Sequence, residues 1–242
     1  MVNLIQTIDS TESSRIAAGI VTEALRTRST PVLGVATGSS PLPIYRELAN
    51  GSDVDWSKVT AFGLDEYVGL PPHHPQSYRT FLDEHLAGPL GMPLTSIRLP
   101  DAHATDLDRA AADYEDEIRR AGGVDLQIVG IGRNGHLAFN EPGSPLDSRT
   151  RVVELTDSTR HANARFFASL DEVPRRAMTQ GIGTVLEARR ILLVANGREK
   201  RDALLAALYG PVTPDCPASA LQLHEHVTVV TDSQLERAGA QL

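Results

Sequence analysis

Residues Asp125–Pro142, DLQIVGIGRNGHLAFNEP, hold the side chains best suited to proton chemistry. Asn134, His136 and Glu141 fall within eight residues, none at the i+3 or i+4 spacing of a helix. An imidazole with an amide and a carboxylate nearby can serve as a general acid–base whose tautomer is fixed by its neighbours. The run Leu126–Ile131 before them is apolar, short and rich in β-branched residues, which reads as a buried strand. Gly130 and Gly132 then offer a tight approach free of Cβ atoms.

Three further stretches could bind or react. Thr37-Gly38-Ser39-Ser40-Pro41 follows the apolar run Pro31–Ala36. Ser40 suits an N-cap and Pro41 a first helical position. A turn between a strand and a helix can present N–H groups to an anion, and Thr37, Ser39 and Ser40 add hydroxyls. An ordinary, well-capped turn is the competing reading, and a P-loop is excluded because its spacing and lysine are absent. Asp65-Glu66-Tyr67 ends the run Val59–Leu64, and two acids in that place read first as caps or solvated turn residues. Gly197–Lys200 follows the run Arg189–Ala195. Of the 23 basic residues only Lys58 and Lys200 are lysines. A cation at a helix N-terminus opposes the helix dipole, so Lys200 points to an anion nearby, with a free surface lysine as the bland alternative.

The elements that must position these residues follow from periodicity. Val2–Ile8 reads as a strand, Thr11–Arg28 as a helix capped by Asp9 or Ser10, and a helix runs on through Ile44, Tyr45 and Leu48. Gln76–Leu86, the amphipathic Asp106–Ala121 and Thr159–Ala168 read as helices, as do the residues after Gly197 and Ser233–Gly239. Ile97–Leu99, Val152–Leu155 and Val227–Val230 read as strands. Alternating strands and helices predict an α/β fold, a largely parallel sheet with helices on both faces, in a single domain spanning 1–242. Ligands of such sheets gather outside the carboxyl ends of the strands. Thr37–Ser40, Asp65–Tyr67, Asn134–Glu141 and Gly197–Lys200 all follow strand carboxyl ends, which predicts one shared site.

Composition removes several classes of function. The formal net charge is −8 and there is no basic stripe, so neither nucleic acid nor an anionic membrane is expected as a partner. The single cysteine, Cys216, forbids an internal disulfide and argues against a cysteine metal site. The N-terminus lacks the pattern of a signal peptide and no apolar run approaches a membrane span, so a cytoplasmic protein is expected. His224 and His226 could share one strand face, but there is no H-E-x-x-H and no second ligand pair; His73 and His74 read as a solvated loop. There is no G-x-S-x-G nucleophile elbow. G-I-G-R-N-G matches a dinucleotide fingerprint formally, yet HLAFNEP is a poor helix start, so no nicotinamide cofactor is expected.

Taken together, GVATGSSPLPIY, FGLDEYVGLPPHHPQSY and VGIGRNGHLAFNEPGSPLDSRTRVVELTDSTRHANARFF resemble the glucosamine-6-phosphate deaminase (isomerase) family, with further likeness through GREKRDALL and CPASALQLHEH. The neighbouring 6-phosphogluconolactonases share a Gly-His motif but not the Asn-Glu-Pro continuation. The resemblance implies a Rossmann-like α/β fold and conversion of glucosamine 6-phosphate and water to fructose 6-phosphate and ammonia, with no cofactor and no metal. It implies that His136 opens the sugar ring, that Glu141 and Asn134 hold and tune the imidazole, and that Asp65 moves the C2 proton. It places the phosphate on Thr37, Gly38 and Ser39 with Arg165 and Lys200, and makes about 151–180 a mobile lid. Some members carry Asp at the position of Asn134. Where allosteric hexameric members use a lysine and a serine, this chain has Val153 and Pro145, and it ends at Leu242 without their longer tail. A monomer or small homo-oligomer is therefore expected. Two other readings stay open at this point: a lactonase using His136 as the base, and a non-catalytic sugar-phosphate sensor.

Overall fold

The computed structural model describes residues 2–235. Among them a seven-stranded sheet has the order β1-β10-β9-β6-β2-β3-β5 and is parallel throughout. A three-stranded antiparallel sheet has the order β4-β8-β7. The strands are β1 (Val2–Gln6), β2 (Val32–Val35), β3 (Thr60–Gly63), β4 (Asp65–Tyr67), β5 (Ile97–Arg98), β6 (Leu126–Val129), β7 (Arg151–Glu154), β8 (Arg176–Thr179), β9 (Ile191–Val194) and β10 (Val227–Thr231). The helices are α1 (Ser10–Leu25), α2 (Leu42–Gly51), α3 (Tyr78–Leu82), α4 (Gly88–Leu90), α5 (Leu107–Arg120), α6 (Asp157–Asn163), α7 (Ile182–Leu186) and α8 (Arg201–Tyr209).

The central strands β2, β6 and β9 are buried at every residue, on both faces of the sheet, which is why they read as nearly unbroken apolar runs. Alternate residues feed two cores. Leu33, Val35, Ile128 and Leu192 pack with Val21 and Leu25 of α1 and with Ile44, Tyr45 and Leu48 of α2. Val32, Val129, Ile191 and Leu193 pack with Tyr114 and Ile118 of α5, Val185 of α7, and Leu204 and Leu208 of α8. Asp9 caps α1 through the N–H of Glu12, and Asp106 caps α5 through that of Arg109.

Several expectations need correction. Ser40 does not cap α2; the helix starts at Leu42 with Pro41 at the N-cap position and no side-chain cap bond. Ser77 caps α3, and the expected Gln76–Leu86 helix breaks into α3, a π-turn at Asp83–Ala87 and α4. The expected helix at Thr159–Ala168 is α6 followed by a 3-10 turn, Ala164–Phe166. Asp65-Glu66-Tyr67 is neither cap nor solvated turn but a buried strand, β4, paired with β8 at Asp65↔Thr179. The expected Ser233–Gly239 helix lies largely outside the described residues.

The chain reverses its direction of travel across the large sheet between β2 and β6. From β2 it proceeds to β3 and β5 on one side; from β6 it proceeds to β9 on the other. Loops leaving the carboxyl ends of these two neighbours diverge and leave a crevice between them.

Candidate active site

A cavity of about 400 Å³ occupies that crevice. Thr37, Gly38 and Ser39 line it from the end of β2, Asp65 and Tyr67 from β4, and Gly130, Gly132 and His136 from the loop after β6. Lys200 and Arg165 complete it. The four stretches singled out by sequence therefore meet in one place. Asn134 and Glu141 are not part of this lining and neighbour it at His136.

The loop after β6 is shaped by its own hydrogen bonds. Gly132 N–H donates to the His136 carbonyl and Gly135 N–H to that of Gly132, both at 3.0 Å. Gly135 takes φ +83°, a left-handed conformation that suits glycine. The fold-back lays the imidazole on Gly132, where an added Cβ would come within 2.2–2.4 Å of three ring atoms. Gly130 differs from the expectation, because nothing lies within 4 Å of its Cβ position. No helix opens here, so the formal G-I-G-R-N-G match is a tight turn.

Asn134 Nδ2 donates to Glu141 Oε2 at 2.7 Å, and the same oxygen lies 3.6 Å from His136 Nδ1. That separation is a charge contact, not a hydrogen bond. His136 Nδ1 is buried and has no hydrogen-bond partner among the described residues. Glu141 Oε1 accepts from the Thr159 hydroxyl and, at 3.5 Å, from that of Thr156. Burial pushes the Glu141 pKa up, but His136 and the Thr159 and Asn134 donors outweigh it and hold the group at about 2.

Asp65 is 6% exposed. Burial first, and the neighbouring Glu66 carboxylate second, push its pKa well above the usual carboxylate value. Glu66 is pinned by the N–H groups of Tyr67 at 2.8 Å, Tyr78 at 3.0 Å and Arg79 at 2.8 Å. Burial also raises the pKa of Glu66, with these bonds opposing it.

Lys200, also in the lining, donates from Nζ to the Ile131 carbonyl at 2.8 Å. Burial lowers its pKa, Glu199 opposes that, and Arg133 adds to it. Gly38 holds φ +90°, and Tyr45 Oη braces the loop by donating to the Ala36 carbonyl at 2.6 Å. Arg165 is exposed, its guanidinium 4.6 Å from the Phe166 ring centroid. Arg160, the other arginine of the expected Thr159–Ala168 helix, is buried and donates to the Leu170 and Val173 carbonyls, so it braces the segment and is absent from the cavity wall.

Sequence reasoning missed one wall. Tyr67, Tyr78 and Phe139 form a cluster with ring centroids 4.9–6.0 Å apart, and Phe167 meets Tyr67 edge-on at 5.9 Å. Asn163 Nδ2 donates to Tyr67 Oη at 2.9 Å. The apolar run of FGL stops at two acids, residues depleted from strands, so Tyr67 carried no strand signal of its own. His224, a candidate metal ligand by sequence, has Nε2 on the Ala188 carbonyl and Nδ1 accepting the His226 N–H. No three His, Cys, Asp or Glu residues among those described gather to hold a metal ion. No helix among them is long and apolar enough to cross a membrane.

Known proteins resemble the chain over most of its length. Glucosamine-6-phosphate deaminase 2 of Bacillus subtilis is 49% identical over 226 residues, 91% of each chain. The glucosamine-6-phosphate deaminase of Arthrobacter sp. is 47% identical over 226 residues, 92% of this chain and 87% of its own. A solved structure described as a monomeric glucosamine-6-phosphate deaminase superposes with a TM-score of 0.90 at 40% identity, over 95% of this chain and 96% of its own. A 6-phosphogluconolactonase from Thermotoga maritima superposes at 0.71 over 96% and 98% of the two chains; at 23% identity it speaks to the fold alone. The family model described as glucosamine-6-phosphate isomerases/6-phosphogluconolactonase matches residues 10–230, and the chain belongs to that family.

Proposed function

We infer that this chain converts glucosamine 6-phosphate and water to fructose 6-phosphate and ammonia. The observation that carries the reading is the shared cavity: a buried carboxylate, Asp65, and an imidazole, His136, line the same space as Lys200, Arg165 and Thr37–Ser39. A phosphate held by that loop and the two cations leaves the rest of the sugar within the cavity. His136 carries the proton from the anomeric hydroxyl to the ring oxygen, and the pyranose opens. Asp65 then removes the C2 proton; the C–H electrons form the C1–C2 double bond as the C1 carbonyl pair moves onto O1, which takes a proton from the C2 ammonium, giving an enolamine. The same carboxyl returns its proton at C1 while the amine lone pair forms the C2–N double bond. The product is an imine at C2; water adds there and ammonia leaves, which balances the reaction. Burial suits Asp65 to this shuttle, because a carboxyl of raised pKa is a stronger base and holds the proton long enough to return it.

Asn134 and Glu141 keep the imidazole in its working tautomer. The reaction as drawn needs no cofactor. The segment 151–180 supplies Arg165 and serves as a lid. Its two ends, β7 and β8, pair with each other, and β8 pairs with the strand that bears Asp65. Closure is therefore a movement of the intervening 155–175 on a fixed hairpin base. The working form is a monomer or small homo-oligomer in the cytoplasm.

Purified protein is expected to release ammonia and fructose 6-phosphate from glucosamine 6-phosphate and to leave 6-phosphogluconolactone intact. Lactone hydrolysis without ammonia release would transfer the reading to a lactonase. Binding of the amino sugar with no product over hours would transfer it to a sensor.

A further inference from the structure

We propose that Thr159 is a positioning residue that sets His136 through Glu141, so that the segment bearing Arg165 also governs the acid–base group; this rests on the deaminase reading. The Glu141 carboxylate is divided between two parts of the molecule. Its Oε2 serves the catalytic loop, taking the Asn134 amide and facing His136. Its Oε1 serves α6, taking the Thr159 hydroxyl with Thr156 beside it. Thr156 is the N-cap of α6: its Oγ1 accepts the Thr159 N–H at 3.2 Å and lies 3.2 Å from Thr159 Oγ1. Thr159 is thereby fixed to the first turn of the helix, and six residues later the same segment presents Arg165 to the cavity. Thr159 lines that cavity itself.

His136 Nδ1 is the atom whose state this arrangement decides. It is buried, it lacks a hydrogen-bond partner among the described residues, and Glu141 Oε2 stands 3.6 Å away. A carboxylate pivoting on its Asn134 bond by a few tenths of an ångström brings that contact into hydrogen-bond range. The atom that holds the other end of the pivot is the Thr159 hydroxyl. A hydroxyl serving only as a helix-cap neighbour has no need of a carboxylate 18 residues away in sequence.

Thr159→Val keeps the shape of the side chain and removes the donor; Thr159→Ser restores it. With glucosamine 6-phosphate, the valine variant is expected to lose about tenfold in kcat with KM within twofold of wild type, the size of one hydrogen bond to a charged acceptor. Thr159→Ser is expected to recover most of the rate. In a Glu141→Ala background, Thr159→Val is expected to cost nothing further, because the pivot is already gone. A full additional tenfold loss in that background, or unchanged kcat in the single variant, overturns the proposal. A KM rise at constant kcat overturns it too, since Thr159 would then serve binding alone. The ring ¹⁵N signals of His136 at fixed pH supply a readout independent of turnover. They are expected to shift in the valine variant and return in the serine variant, and identical spectra in wild type and valine variant overturn the coupling. Wild-type protein that releases no ammonia removes the deaminase reading, while the ¹⁵N comparison still decides the coupling.

Discussion

Gly132→Ala tests the site by adding one methyl group. The Cβ would stand 2.2 Å from His136 Cε1, 2.3 Å from Nδ1 and 2.4 Å from Nε2. Ordinary van der Waals contact begins near 3.4 Å, so the ring must retreat by roughly 1 Å. Gly132 is not among the residues of positive φ, so alanine fits its backbone. The ring stands at the end of a rotatable side chain and can move without disturbing the core. Stability should then stay level or rise by about 0.5 kcal/mol from the stiffer unfolded chain. Activity should not survive as well: a displacement of about 1 Å in a reacting group costs on the order of 100-fold. The measurement pairs a thermal melt with a coupled assay for fructose 6-phosphate. A variant with wild-type kcat would show that the imidazole works from another place. A variant that fails to fold would show that the loop, and not the ring, sets this glycine.

Asp65→Asn should abolish turnover by at least about 100-fold while phosphosugar binding persists, with ammonia release and a binding titration as the checks. The same variant should melt higher at neutral pH, by a few degrees. A carboxyl whose folded pKa is raised favours the fold fully only below its unfolded value of 3.8, and that advantage is lost as pH rises through the folded pKa; the gain from Asn should therefore vanish in acid. Lys200→Met should raise KM about 10- to 100-fold with kcat within a few-fold, as expected of an ammonium proposed to bind the phosphate equally before and during reaction; a loss confined to kcat would contradict that. Gly34→Ala should cost about 1–3 kcal/mol and lower the melting temperature by several degrees. Its Cβ would meet buried Gln127 at 2.0–2.6 Å and pull the amide from its bond to the Ile128 carbonyl.

The parallel sheet was legible because burial on both faces writes itself as VLGV, LQIV and ILLV, where a strand with one solvated face would alternate. The antiparallel sheet was not. Strand β4 has three residues, two of them acids, too short for any periodicity to show. Its partner β8 reads RAMT, where a surface arginine and a threonine break the apolar signal. The two pair across more than a hundred residues, so neither carries a local cue to the other. The division at the site follows the same line. His136, Asn134 and Glu141 lie within one loop, and their spacing announced them. The hydroxyl of Thr159 and the amide of Asn163 lie on α6 and the ring of Tyr67 on β4, elements that meet the loop and each other only after folding, so no spacing could name their contacts.

That second sheet explains why an acid is tolerated where sequence alone places it in solvent. At the open end of β3, Asp65 would be a hydrated carboxylate of ordinary strength, a poor base for a carbon acid. Pairing β4 with β8 removes it from water, and the pinned charge of Glu66 raises its proton affinity further. Strand β8 also ends the segment that carries Arg165, so the element that buries Asp65 also anchors the segment that presents Arg165 to the cavity. A substitution that weakens the β4–β8 pairing should therefore damage C2 proton removal and phosphate affinity together, although neither group is altered. Separate losses, one without the other, would mean that the small sheet merely holds the loops and does not set the chemistry.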